Sequence, residues 1–189
     1  MRVQPIRDID ELKAIERSLS ELSTEKGRRA YLLFEMGIYL ARRVSDILPL
    51  KVGDVLGKEY IQIKEQKTSK IIELPIPTHL QRVFRQRLKG RPEDEYILAS
   101  RQRDKEGRFK PVCRKTAYNY MQDIANAAGL TYNVGTHTMR KTFGYHYYQR
   151  THDIALLMSL FNHSSEKDTK VYIGIALDEK RKALMEFKY

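Results

Sequence analysis

The stretch THTMRKTFGYHYYQR, residues 136–150, sets His137 and Arg140 three positions apart, on one face of a helix. Two cations at that spacing repel if the imidazole is protonated, so the pair makes physical sense around a negative group lying between them. Further side chains along the chain suit the same task. Arg43 in ARRVSDILPL precedes the capping-type residues Ser45 and Asp46, and its planar fork matches phosphate oxygens. Lys67 stands at the polar break of EQKTSK, and Tyr172 in KVYI supplies a phenol. His163 in FNHSS comes just before a helix start, where backbone can approach an anion. Taken singly, each has an ordinary explanation: a surface cation, a solvated turn lysine, a structural histidine, a packed tyrosine.

The charge balance points to a polyanion as partner. The formal net charge is +11, beyond what an ordinary balanced surface carries. A basic surface kept for solubility is the bland alternative, and charge alone does not separate the two. A membrane partner is not expected, because no apolar run approaches a spanning length. With 41% hydrophobic and 31% charged residues in 189, the chain reads as one folded domain and not as a disordered one. The single cysteine, Cys113, rules out an internal disulfide and a cysteine-based zinc site, and reads as a buried or incidental thiol. The histidines (His79, His137, His146, His152, His163) form no HExxH pattern, so neither a catalytic metal nor a cofactor is expected. The N-terminus, MRVQPIRDIDE, is polar at once, which reads as no signal or transit sequence and fits a cytoplasmic address.

The elements that would position these residues are mostly helical. Apolar residues recur at helical spacing in 8–22, behind an Asp cap, and in the more apolar 27–41. Residues 45–50 read as a short helix ended near Pro49. Residues 59–77 are Ile-rich and alternate around the break QKTS, which predicts a β-hairpin with Lys67 at its turn. A helix is expected over 78–90, stopped by Gly90, then a short strand at 96–100 and a polar basic loop at 101–111. Further helices are expected over 114–129, over 136–150 with Thr136 as N-cap, over 152–162, over 164–173 with Ser165 and Asp168 in capping-box spacing, and over 178–187. The fold class is therefore mainly α with one small antiparallel β-sheet or hairpin, an α+β domain.

Taken in order, Arg43, Lys67, His137, Arg140, His163 and Tyr172 stand in RVSD, QKTSK, HTMR, NHSS and KVY. In that order and spacing the chain resembles the tyrosine recombinase, or phage integrase, family from about residue 10 to 175. Departures from the family pattern are Asp46 for a usual Glu, Asn162 for a usual Gly, and Lys141 where a histidine is common. The resemblance implies a catalytic-domain fold and strand cleavage and rejoining on double-stranded DNA, with no metal or high-energy cofactor. Tyr172 would attack the scissile phosphate and form a 3′-phosphotyrosyl link, which stores the phosphodiester energy. Arg43 and Arg140 would stabilise the charge on the non-bridging oxygens. His137 would accept the phenol proton or bond the phosphate, and Lys67 would protonate the leaving 5′-oxygen. His163 would bond a non-bridging oxygen or position the tyrosine.

Arg101, Arg103, Lys105, Arg108 and Lys110 of the basic loop, with Arg114 and Lys115, are candidates for phosphate contacts that position a duplex; a solvated loop is the equal alternative. The aromatics Phe143, Tyr145, Tyr147 and Tyr148 are expected to pack. Two other readings stay open: a type IB topoisomerase-like relaxing enzyme, and a DNA-binding module on the same fold that does not cut. The resemblance further implies other protomers of the same chain as partners in a synaptic tetramer, a nucleoid-associated place of work, and room for accessory DNA-bending proteins. Residues 1–189 read as a single catalytic domain without the N-terminal core-binding domain of most integrases, either an excised domain or a short natural recombinase. In the tail, 173–189, Leu177, Ala183, Leu184 and Phe187 would form an apolar stripe. It would pack on its own domain or on a neighbouring protomer; in the second case an isolated monomer would hold Tyr172 loosely or away from Arg43, Arg140 and His163.

Overall fold

Asp8 accepts the amides of Asp10 and Glu11 at 2.7 and 3.2 Å and so starts helix α1 (Ile9–Ser20). The structure is a computed structural model that describes residues 3–187. Thr24 caps α2 (Glu25–Tyr39) by accepting the Gly27 amide, which begins that helix two residues before its apolar run. The short α3 (Val44–Ile47) follows, and then β1 (Tyr60–Lys64) and β2 (Ile71–Pro75), paired antiparallel with Gln62 opposite Glu73. Helix α4 (Thr78–Leu88) ends at a left-handed Gly90, and α5 (Arg114–Ala127) at a left-handed Gly129. Helices α6 (Thr136–Thr151), α7 (Ile154–Phe161), α8 (Glu166–Ile173) and α9 (Ile175–Glu186) complete the described chain.

Three sequence expectations are corrected. Residues 101–111 are not a loop: β3 (Ala99–Arg103) and β4 (Phe109–Pro111) pair antiparallel, making a second two-stranded sheet. The strand expected at 96–100 thus lies about three residues further on. Asp104 closes the turn by accepting the amides of Glu106 and Arg108, and Arg103 lies 3.9 Å over the Phe109 ring, contacts that a polar sequence does not advertise. Gly135, not Thr136, is the N-cap of α6, because the Thr138 hydroxyl one turn along accepts its amide at 3.1 Å. Cys113 is exposed at the N-cap of α5, which fits the incidental one of its two readings.

Most of the core joins α1, α2, α4, α5 and the inner face of β1, where Ile61 and Ile63 are buried. A smaller cluster of Ala41, Leu157, Phe161, Ile173 and Ile175 is covered by Phe143, Tyr145, Tyr147, Tyr148 and Tyr172, so the aromatics of α6 do pack. Helix α6 serves both: Met139 belongs to the larger cluster, and Phe143 to the smaller. The N-terminal segment straps α6 in place, with the Ile6 amide on Thr142 Oγ1 at 3.0 Å and the Lys141 ammonium on the Val3 carbonyl at 2.8 Å.

The seat of α7 and α8 on α6 is close at Gly144. A β-carbon there would lie 2.6 Å from Ile173 and 2.9 Å from Phe161. Gly144→Ala should therefore destabilise the protein by about 1–3 kcal/mol through overpacking. Thermal unfolding checks this, at roughly 2–4 °C per kcal/mol; an unchanged melting temperature would show that the seat is loose.

Candidate active site

The chain enters the site through a backbone reversal. After α2, Ala41 takes the left-handed conformation at φ 53°, leaving Arg42 inside with a 3% exposed side chain and Arg43, the N-cap of α3, 20% exposed. Arg42 donates to the carbonyls of Leu40 and Leu160. The β1–β2 turn brings Lys67 to the same place, since the Gln66 amide donates to Asp46 Oδ1 at 2.9 Å. Arg43, Lys67, Arg114 and His137 line one cleft of about 410 Å³.

Arg140 is buried one helical turn from the exposed His137. Its Nη2 donates to the Phe161 carbonyl at 2.8 Å, and its guanidinium lies 4.3 Å from the centre of the Phe161 ring. Burial pushes its pKa down to about 10, helped by Arg42 and Arg43, so the group is still a cation at neutral pH. Arg140 Nη1 and Arg43 Nη1 are buried without a hydrogen-bond partner among the described residues, Arg43 Nη1 keeping only an ion pair to Glu65 Oε1 at 3.5 Å. Buried charged donors left without a hydrogen bond are costly, which makes them the sharpest chemical signal in the structure.

His163 follows α7 at a turn where Asn162 is left-handed, φ 51°. The substitution of Asn for the usual Gly is thus mild, because Asn is the next residue to tolerate that conformation. His163 Nδ1 lies 3.1 Å from Thr169 Oγ1. That hydroxyl already donates to the Ser165 carbonyl at 2.7 Å, so it accepts from the histidine. The neutral ring therefore carries its proton on Nδ1 and presents Nε2 as an acceptor.

Tyr172, on the last turn of α8, sets its hydroxyl 3.1 Å from His137 Nδ1 and its ring 5.3 Å edge-on to His163. The phenol is thus docked within its own chain, and not held loosely or away from His163 as expected for a monomer whose tail docks only on a neighbour. Burial raises its pKa, and the charges of Arg140 and Arg43 pull it back down. His137 is open to solvent at one edge, yet the protein packed around the rest of its ring, then Arg140, Lys141 and Arg43, lower its pKa; burial, then Arg140 and Arg43, lower that of His163. For the Tyr172 hydroxyl to donate, His137 must be neutral, accept at Nδ1 and carry its own proton on Nε2.

The other sequence candidates are distributed unevenly. Arg114 joins the cleft. Arg101, Lys105, Lys110 and Lys115 are exposed, while Arg103 is stacked on Phe109 and Arg108 is paired with Asp104 and Glu106. Residues missed in the sequence are Arg42 and Glu65, an ionic pair at 3.6 Å whose burial no local pattern reveals, and Lys141 as a neighbour of Tyr172, 4.9 Å over its ring. Among the described residues no group of three His, Cys, Asp or Glu side chains could hold a metal ion, and no helix is long and apolar enough to cross a membrane.

Comparison with known proteins agrees with this geometry. The model of the phage integrase family matches residues 8–178. The chain is 42% identical over 186 residues to a probable integrase/recombinase, YoeC, of Bacillus subtilis, covering 98% of this chain and 97% of that protein. It spans about half the length of the curated XerA tyrosine recombinases it also matches. A crystal structure of XerA recombinase superposes with a TM-score of 0.71 at 21% identity, covering 100% of this chain and 66% of the other. A lambda integrase tetramer bound to a Holliday junction gives 0.63 at 20% identity, covering 91% of this chain and 49% of the other. At those identities the structural likeness shows the fold.

The protonation of His137 is open to direct measurement. In an NMR titration of the free protein its ring should titrate below the usual 6.5, because burial and neighbouring cations disfavour the charged form. Lys141→Met removes one of those cations and should move the midpoint upward. A midpoint at or above 6.5 in the unaltered protein would contradict this electrostatic picture.

Proposed function

The chain belongs to the phage integrase family, and from that premise we propose that it is a site-specific recombinase that cleaves and rejoins double-stranded DNA through Tyr172. The supporting observation is Arg140 Nη1, a buried guanidinium nitrogen without a hydrogen-bond partner among the described residues, in one site with Arg43, whose Nη1 has only a long ion pair to Glu65, and with a phenol bonded to an imidazole. Two non-bridging oxygens of a phosphodiester would satisfy those donors. Negative charge builds on these oxygens during in-line attack, so the fixed cations stabilise the transition state more than the ground state.

Tyr172 Oη attacks phosphorus as its proton passes to His137 Nδ1, already 3.1 Å away. The bond to the 5′-oxygen breaks, and Lys67 gives that oxygen its proton, leaving a 3′-phosphotyrosyl link and a free 5′-hydroxyl. Attack by a second strand's 5′-hydroxyl reverses each step, so no high-energy cofactor is consumed. The His137 Nε2–H is left to donate to the phosphate. His163, with Nε2 as acceptor when neutral, is suited to positioning the phenol, and to bonding a phosphate oxygen once protonated. Guanidinium groups in the position where other phosphoryl-transfer sites use metal ions support a metal-independent step.

The cleft cation Arg114 and the exposed Arg101, Lys105, Lys110 and Lys115 would meet the duplex backbone; Arg103 and Arg108 have protein partners and would contribute less. Relatives with DNA-bound dimers and tetramers support self-association on DNA. In that assembly the tail would serve as a docking segment: Ile175 is buried, but Leu177 and Leu184 are 59% and 79% exposed on α9. Residues 188–189 of the tail lie outside the described residues. Work at the nucleoid and help from DNA-bending proteins belong to the same proposal. The topoisomerase-like and non-cutting readings have no observation in their favour.

Replacing the bridging 5′-oxygen by sulfur makes a leaving group that needs little protonation. On such a nicked duplex, drawn from DNA flanking the gene and cleaved by the wild type, Lys67→Ala should regain near wild-type cleavage while Arg140→Ala should not. On the normal substrate both should lose about 10²- to 10⁴-fold. Equal rescue of the two variants would remove Lys67 from the role of acid. Cleavage by the wild type should also survive a chelator unchanged; a requirement for added divalent ion in the chemical step would contradict the metal-independent reading.

A further inference from the structure

The buried carboxylate of Glu65 links two parts of the site that the chemistry needs together. It lies at the end of β1, two residues before Lys67, and its side chain is 1% exposed. One oxygen, Oε1, faces two guanidiniums, 3.5 Å from Arg43 Nη1 and 3.6 Å from Arg42 Nη1. The other, Oε2, accepts the Thr68 hydroxyl at 2.7 Å. Its backbone closes the turn as well, because the Ser69 amide donates to the Glu65 carbonyl at 2.8 Å and the Glu65 amide to the Lys70 carbonyl at 2.9 Å. Lys67 itself is exposed, so its place is set by its neighbours: Gln66, whose amide donates to Asp46 Oδ1 at 2.9 Å, and Thr68.

A buried carboxylate is expensive unless its partners compensate it. Here the two arginines supply charge, and Thr68 supplies the hydrogen bond. Arg42 and Arg43, adjacent in the chain, would repel each other without an anion between them. The anion comes from the element that carries Lys67, so the phosphate-holding Arg43 and the turn lysine share one support. An aspartate or a neutral residue at position 65 would not bridge the same span with the same charge.

Resting on the reading of Lys67 as general acid, we propose that Glu65 is a positioning residue for strand cleavage, holding the Lys67 turn in register with Arg43 through Thr68. It does not touch the reacting atoms. Its contribution is to keep the ammonium within reach of the leaving oxygen while Arg43 holds the phosphate.

Two variants test this in the full chain. Glu65→Gln keeps the side-chain volume and removes the charge, and Thr68→Val keeps the shape and removes the hydroxyl, so the second remains informative if the first folds poorly. Single-turnover cleavage is followed on the oxygen substrate and on the 5′-sulfur substrate, with duplex affinity measured in parallel. Both variants should lose about 10- to 100-fold on the oxygen substrate, part of what a general acid contributes. Thr68→Val should recover to within about threefold of wild type on the sulfur substrate, because only the acid's placement is lost, and Glu65→Gln should recover at least about tenfold there, short of complete because it also removes the anion beside Arg43, with duplex affinity unchanged in Thr68→Val. A merely structural role would depress both substrates alike. Equal losses on the two substrates, or no loss on oxygen, overturn the proposal when Lys67→Ala is rescued by sulfur. If Lys67→Ala is not rescued, the assignment of Lys67 fails, and this proposal with it.

Discussion

The site depends on keeping the charge of Arg140 inside the protein. A guanidinium with 1% exposure has given up its water, a cost of several kcal/mol for an isolated ion. The fold returns part of that cost through the Phe161 carbonyl and the face of the Phe161 ring. Arg42 holds the preceding carbonyl, that of Leu160. Two cations thus sit at the C-terminal end of α7, where the helix dipole favours positive charge. The turn carrying His163 is anchored by the same group that would hold a phosphate. Glu65 and Asp46, both buried, offset the arginines from the opposite side, yet each has a side-chain oxygen without a hydrogen-bond partner among the described residues. The balance is left positive and under-bonded, which suits an anionic guest.

The phenol answers to the same charges. Burial alone would hold the Tyr172 proton more tightly, and Arg140 and Arg43 oppose that. The neighbouring imidazoles are lowered by burial and by the same arginines, so His137 is ready as an acceptor. That Tyr172 is docked in its own chain follows from how α8 ends. Gly174 is left-handed at φ 92°, which separates α8 from α9. The new helix is then held by the buried Ile175 at its start, by Arg7 to Asp178 at 3.1 Å and by Lys170 to Glu179 at 3.8 Å.

The candidate site residues were legible in the sequence because each lies in a short local pattern. The hairpin around Lys67 was legible from alternation, and α6 from its length. The pairing of β3 with β4 was not, since its residues are polar on both faces and the register comes from Asp104 and from Arg103 on Phe109. The cap of α6 was misread because the capping hydroxyl comes from within the helix, at Thr138. Arg42 and Glu65 escaped because charged residues default to the surface in any reading by type. Their burial is a property of the assembled α2–α3 junction and hairpin, not of either segment.

Peptide mapping of the covalent product tests the account most directly. The wild-type protein would be trapped on a nicked duplex that loses its 5′-hydroxyl fragment after cleavage, then digested and read by mass spectrometry. The account predicts a 3′-nucleotide attached through phosphate to the peptide containing Tyr172, and to no other residue. An adduct on a different tyrosine, or cleavage with no protein–DNA bond, would contradict it.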